Sequence, residues 1–100
     1  MRQAWVMTLK PGMEALYKRR HDEIWPELVA SIKAQGVRNF SIHRHGLTLF
    51  ATLERDAPAP EGEPVPEVTW RWWRSMAPLM ETNPDSSPVV EPAEEVFHLD

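Results

Sequence analysis

The amino-acid sequence predicts an α+β fold in the order strand, helix, strand, strand, helix, strand. Apolar residues alternate near the N-terminus, recur at helical spacing after Met13, and alternate again from Val37. The 100 residues suffice for one domain, and the 42% hydrophobic content excludes general disorder. We therefore expect a single domain over residues 1–100.

Alternation, proline and glycine define the first half of the chain. Residues 3–9 alternate as a strand, and a helix is predicted over residues 12–22. Because the residue before a proline avoids the helical region, Trp25-Pro26 is expected to break this helix. A second helical piece then runs to Gln35, and Gly36 stands where a C-terminal cap belongs.

The middle of the chain predicts a hairpin and then a loop. Residues 37–44 and 47–53 are apolar strand candidates, and His45-Gly46 between them is typical of a tight turn. The segment Asp56–Val68 contains four prolines and three glutamates among its 13 residues. Prolines at this density oppose helix and central strand, so a proline-rich surface loop is predicted over residues 56–68.

The last third predicts one helix and one strand. Thr69 is the expected cap of a helix whose last turn Pro78 must distort, and residues 83–88 form a dense turn signal. Residues 94–99 are the candidate last strand. This order matches the ferredoxin-like βαββαβ unit, and two such sheets commonly pair into a dimeric α/β barrel.

Composition narrows the expected partners. The net charge is −4, and acidic residues directly follow the one basic cluster, residues 18–20, so nucleic acid is not expected. The chain has no cysteine, which excludes disulfides and thiolate metal sites. The apolar run at the N-terminus is too short for a signal peptide or a membrane span, so we expect a cytoplasmic protein without a membrane partner. High apolar content in a short chain favours a homodimer.

Two aromatic groups are candidates for chemistry. Tyr17 and His21 are four residues apart and share a helix face, and imidazole exchanges protons near neutral pH. Trp72 and Trp73 could place an indole against the apolar face of a sugar. Taken singly, His21 has an ordinary structural explanation, and core packing is the commoner role of adjacent tryptophans.

Other constellations are weak. His43 and His45 share a strand face, but zinc usually takes three or four protein ligands, so no metal site is expected. Ser86-Ser87 lacks a nucleophile elbow, and the scattered glycines form no phosphate-binding loop.

Several sequence blocks occur together in one known family. These blocks are Pro11-Gly12-Met13-Glu14, Tyr17–Leu28, Asn39–His43, Arg71-Trp72-Trp73, Asn83-Pro84-Asp85 with Ser87-Pro88, and Val96-Phe97. In this combination the chain resembles the L-rhamnose mutarotase family over residues 4–53 and 71–99.

The resemblance implies a dimeric ferredoxin-like α/β barrel. It also implies an isomerase that interconverts the anomers of L-rhamnose, or of a related deoxy sugar, without metal or organic cofactor. The proton-donating histidine of the family falls on His21, and its sugar-contacting residues fall on Tyr17, Trp72 and Trp73. A further sugar-contacting tyrosine falls on Phe40, where the hydroxyl is missing.

Anomerisation requires two proton transfers. The ring oxygen gains a proton while the anomeric hydroxyl loses one, and His21 is the candidate for the ring oxygen. A second group or a water must serve the anomeric oxygen. Two alternatives stay open: a dimeric-barrel oxygenase or haem-handling protein with His43 or His45 as axial ligand, and a non-catalytic sugar-binding regulator.

Overall fold

The computed structural model describes residues 1–100 and contains a four-stranded antiparallel sheet and three helices. The strands are β1 (Arg2–Thr8), β2 (Val37–His45), β3 (Thr48–Arg55) and β4 (Glu91–Pro92). The helices are α1 (Glu14–Asp22), α2 (Pro26–Ala34) and α3 (Glu67–Met76), and a short 3₁₀ turn, Ala77–Leu79, follows α3. The predicted α+β class is confirmed. None of these helices has the length and apolarity that a membrane crossing requires.

The sheet has the order β2-β3-β1-β4, and each neighbouring pair is antiparallel. Met7 of β1 lies opposite Leu49 of β3, and both are buried in the core with Ala51. Residues alternate between faces, so Phe50 lies on the opposite side, where it is 43% exposed. The helices therefore cover one face of the sheet, and the other face is open.

A β-bulge in β2 changes which side chains face the helices. One extra residue lies between Arg38 and Ser41 relative to the facing stretch of β3. Asn39 adopts the left-handed region with a φ of 51°, which asparagine tolerates better than most residues, and its side-chain amide donates to Glu54 at 2.9 Å. Phe40 and Ile42 share the helix-facing side by alternation, and the extra residue places the buried Val37 on that side as well.

The predicted break between the first two helices is confirmed. Trp25 is extended, with a ψ of 128°, and Pro26 is the first residue of α2. The proline needs no backbone N–H partner there, because the first N–H groups of a helix have none within the helix. Gly36 follows α2 with a φ of +80°, as a cap requires. His21 consequently lies in the last turn of α1.

The predicted loop over residues 56–68 ends too late. Helix α3 begins at Glu67, and Val68 is 6% exposed within the core, so Thr69 lies inside the helix instead of capping it. Pro66 directly precedes the helix with a φ of −58°, close to the helical value, so the last proline of the loop starts the helix. The predicted distortion at Pro78 is confirmed by the 3₁₀ turn.

The predicted last strand over residues 94–99 is wrong. The strand that pairs with the other edge of β1, away from β3, is the two-residue β4, and residues 93–100 have no regular structure. Apolar alternation needs a neighbouring strand before it becomes a sheet, and a single chain offers none to this segment. Val96, Phe97 and Leu99 are instead 87%, 79% and 79% exposed.

Candidate active site

A cavity of about 990 Å³ lies between the helices and the sheet face that they cover. More than half of its lining residues are hydrophobic. The lining includes all five residues that the sequence analysis singled out, namely Tyr17, His21, Phe40, Trp72 and Trp73. The fold therefore brings together side chains from two helices and one strand that are far apart in the sequence.

Helix α1 presents Tyr17 and His21 to this cavity. Their spacing places them on one helix face, and the centroids of the two rings are 4.3 Å apart. Tyr17 is buried and His21 is half-buried. The predicted pairing of phenol and imidazole is confirmed.

One hydrogen bond determines which nitrogen of His21 can exchange protons. Nδ1 lies 3.0 Å from the backbone oxygen of Tyr17. A carbonyl oxygen only accepts, so Nδ1 carries the hydrogen and donates it. The structure shows no protein partner for Nε2, so Nε2 is the nitrogen that is free to exchange a proton with a ligand.

Burial lowers the pKa of His21 below its ordinary value of 6.5, because desolvation penalises the charged imidazolium. The hydrogen bond to Tyr17 and the nearby charge of Asp22 raise the pKa in part, but they do not cancel the burial. At neutral pH the imidazole is therefore mostly uncharged, with the lone pair on Nε2.

Tyr17 is a hydrogen-bond donor and not a base. Burial raises the pKa of its phenol to about 12, so the hydroxyl stays protonated at physiological pH. This hydroxyl makes no hydrogen bond within the protein, which leaves it available to a ligand.

Helix α3 contributes the two adjacent tryptophans. Trp72 is buried and lies perpendicular to His21, with ring centroids 5.4 Å apart. Its other neighbour is Trp25, also perpendicular, at 5.2 Å. Trp73 is half-buried and packs edge to face with Trp70 at 5.0 Å. The two indoles diverge as adjacent helical residues must, yet both border the cavity.

Two cationic side chains link the helices around the site. Arg20 Nη1 donates to the backbone oxygen of Ser75 at 3.1 Å, which joins α1 to the end of α3. Arg71 Nη2 donates to Glu27 at 2.8 Å, which joins α3 to α2. The guanidinium of Arg71 also lies 5.8 Å from the centre of the Trp25 ring. These contacts keep the helices in register over the cavity.

Three residues of the site were not predicted from the sequence. Trp5 lines the cavity and packs edge to face with Phe40 at 5.7 Å, and Trp25 supports Trp72. Glu14 also lines the cavity. The available signals were the alternation of β1, which turns Trp5 toward the core, and the seven-residue spacing that puts Glu14 on the face of His21.

The histidines considered as metal or haem ligands lie on β2, and His43 is among the residues around the cavity. His43 and His45 are exposed on β2, and His43 pairs with Phe50 on the open face of the sheet. No group of three or more histidine, aspartate or glutamate residues is placed to hold a metal ion.

Comparison with known proteins points to one family. The profile of the family described as L-rhamnose mutarotase matches residues 2–99. L-rhamnose mutarotases of Mesorhizobium japonicum and Acidiphilium cryptum are 50% and 48% identical to this chain, over 96% of it in both cases and over 94% and 95% of their own lengths. The crystal structure of an L-rhamnose mutarotase from Formosa agariphila has a TM-score of 0.90 and 39% identity, and the alignment covers 100% of this chain and 99% of that one.

Proposed function

The chain belongs to the L-rhamnose mutarotase family, and we propose that His21 is the proton donor with which it interconverts the α and β anomers of L-rhamnose. The observation that supports this role is the unpartnered Nε2 of His21, which lies beside the Tyr17 phenol and the Trp72 indole in one cavity. The full-length family match favours this activity over a haem-handling or sugar-binding role.

His21 donates one proton during ring opening and takes one back during ring closure. In ring opening, the imidazolium donates from Nε2 to the ring oxygen, the bond between that oxygen and the anomeric carbon breaks, and the anomeric hydroxyl loses its proton to a second group or a water. The aldehyde rotates, the neutral imidazole takes the proton back as the ring closes on the other face, and the second group or water returns a proton to the former carbonyl oxygen. Nδ1 stays bonded to the Tyr17 carbonyl, so the ring keeps its orientation throughout.

The other site residues hold the sugar. The free hydroxyl of Tyr17 donates to a sugar oxygen, because its raised pKa keeps it protonated. Trp72 and Trp73 provide indole surface for the C–H groups of the sugar. Phe40 supplies aromatic surface without a hydroxyl, so that side of the pocket makes one hydrogen bond fewer than a tyrosine would.

We also propose that the ferredoxin-like sheet pairs with the sheet of a second copy to form a dimeric α/β barrel. Support comes from the open sheet face, where Phe50 is 43% exposed, and from the exposed apolar tail that contains Val96 and Phe97. Apolar side chains clustered at a surface mark an interaction site. Light scattering at micromolar concentration should give the mass of two chains, and the mass of one chain would contradict the dimer.

Saturation-transfer NMR between the two anomers of L-rhamnose tests the activity. The wild-type protein should accelerate exchange, and His21→Ala should lose about 10²–10⁴-fold of that acceleration, the usual contribution of a general acid. His45→Ala removes an exposed histidine outside the site and serves as the control with wild-type exchange. Unchanged exchange in His21→Ala would reject the role of His21. Rhamnose binding without faster exchange in the wild type would reject the mutarotase activity.

A further inference from the structure

Glu14 occupies the far end of the helix face that carries Tyr17 and His21. The three residues follow one another at intervals of three and four, and all three line the cavity. At 1.5 Å per residue, Glu14 and His21 are separated by roughly 10 Å along the helix axis. This separation is comparable to the span of a pyranose with its hydroxyl groups.

The carboxylate of Glu14 differs from the other acidic residues around α1, because one of its oxygens is buried without a hydrogen-bond partner. Its Oε1 is shielded from solvent and has no hydrogen-bond partner. Asp22, on the same helix, is exposed and pairs with Lys18. An acidic residue in the first turn favours a helix electrostatically, but that role does not require burial. Buried acceptors without partners are rare, and a ligand is one explanation for keeping one.

The chemistry of the cavity lining indicates from which ligand groups the Glu14 carboxylate accepts hydrogen bonds. A metal ion would need further carboxylate or histidine ligands, and no group of three such residues is placed to hold one. A carboxylate accepts hydrogen bonds from two adjacent hydroxyl groups, one at each oxygen, and rotation about its terminal bond turns the shielded Oε1 toward the cavity that Glu14 lines. In a pyranose, the carbons opposite the anomeric carbon and the ring oxygen are C4 and C3, which carry adjacent hydroxyls in L-rhamnose.

We propose that Glu14 binds the C3 and C4 hydroxyl groups of the sugar while His21 serves the ring oxygen at the other end. This inference rests on the proposed function, because it takes the position of the reacting end from His21. Glu14 thereby selects sugars by the hydroxyls remote from the reacting carbon. Its contact forms equally in the substrate and in the transition state, so its loss affects KM more than kcat.

The test compares Glu14→Gln with the wild type on L-rhamnose and on its 4-deoxy analogue. We expect KM for L-rhamnose to rise roughly tenfold with kcat within about threefold, as for one lost hydrogen bond to a charged group. The preference for L-rhamnose over the 4-deoxy sugar should shrink by a similar factor. Glu23→Gln, an exposed carboxylate just beyond α1, is the matched control and should match the wild type.

Two further measurements make each outcome decisive. Glu14→Met, of similar length, should show the same rise in KM without a lower melting temperature, whereas an unfolded variant would make Glu14 structural and overturn the proposal. Unchanged KM, or an unchanged preference between the two sugars, would also overturn it. If the wild type binds L-rhamnose without catalysing exchange, the proposed function fails, and dissociation constants from tryptophan fluorescence still test the Glu14 contact. Absence of binding would overturn both.

Discussion

Helices α1 and α3 both supply the site, but they present different surfaces to the interior. Helix α3 buries Val68, Trp72 and Met76, which are spaced four residues apart and face the core. Helix α1 buries only Tyr17, and the polar Glu14 and His21 on the same face are half-buried. The difference shows that α3 packs against the core, whereas α1 borders a cavity that polar groups can face.

Because of this difference, we expect α3 to contribute mainly to stability and α1 mainly to the chemistry of the site. Burial of apolar area drives folding, so α3 should contribute more to the free energy of unfolding than α1 does. The polar face of α1 contributes little to burial and carries the groups that we propose exchange protons or bind hydroxyls. Trp72 connects the two helices, because it is part of the core and also touches the ring of His21.

The largest expected effect is on Trp72. Trp72→Ala should lower the free energy of unfolding by about 3–5 kcal/mol, because it removes a buried indole and leaves a cavity. Urea denaturation measures this loss, with the exposed Arg74→Ala on the same helix as the control expected within about 1 kcal/mol of the wild type. A loss below about 1 kcal/mol for Trp72→Ala would contradict the structural role of α3.

On α1, Tyr17→Phe should separate activity from stability. The hydroxyl has no partner in the protein, so its removal should leave the free energy of unfolding within about 0.5 kcal/mol of the wild type. If the hydroxyl binds the sugar, kcat/KM should fall roughly tenfold. Lower stability with unchanged kinetics would instead make the phenol structural, and α1 would then resemble α3.

The pH dependence of exchange tests the role of His21. Its pKa is lowered by burial, so the imidazolium that we propose as the donor to the ring oxygen is lost as pH rises through a value below 6.5. The profile of kcat/KM, which reports the free enzyme, should therefore fall across that pKa. A rise across the same pKa would assign the neutral imidazole to removal of the anomeric proton.

The smallest expected effect concerns Phe40, which lies on the sheet across the cavity from α1. Phe40→Tyr restores a hydroxyl and should lower KM for L-rhamnose about threefold, the size of one neutral hydrogen bond. Identical kinetics would show that no sugar oxygen reaches this position. The polar contacts of the site would then come from the helices alone.

Local sequence patterns predicted much of the fold. The alternation of β1, the break at Pro26 and the pairing of Tyr17 with His21 depend on residues a few positions apart, and the structure confirms all three. The predicted last strand over residues 94–99 was wrong because a strand depends on a distant neighbour for its hydrogen bonds. The start of α3 was misplaced because Pro66 is compatible with both a loop and a helix start.

By itself, the sequence determined the α+β class, the family and the five residues expected in the site. The tertiary structure alone decided that a bulge at Asn39 puts Val37 and Phe40 on the same side of the sheet, that Nε2 is the free nitrogen of His21, and that an oxygen of Glu14 is buried without a partner. The physical reason is the distance along the chain over which each effect acts. Periodicity and proline act over a few residues, whereas strand register, burial and hydrogen-bond satisfaction depend on segments that only the folded chain brings together.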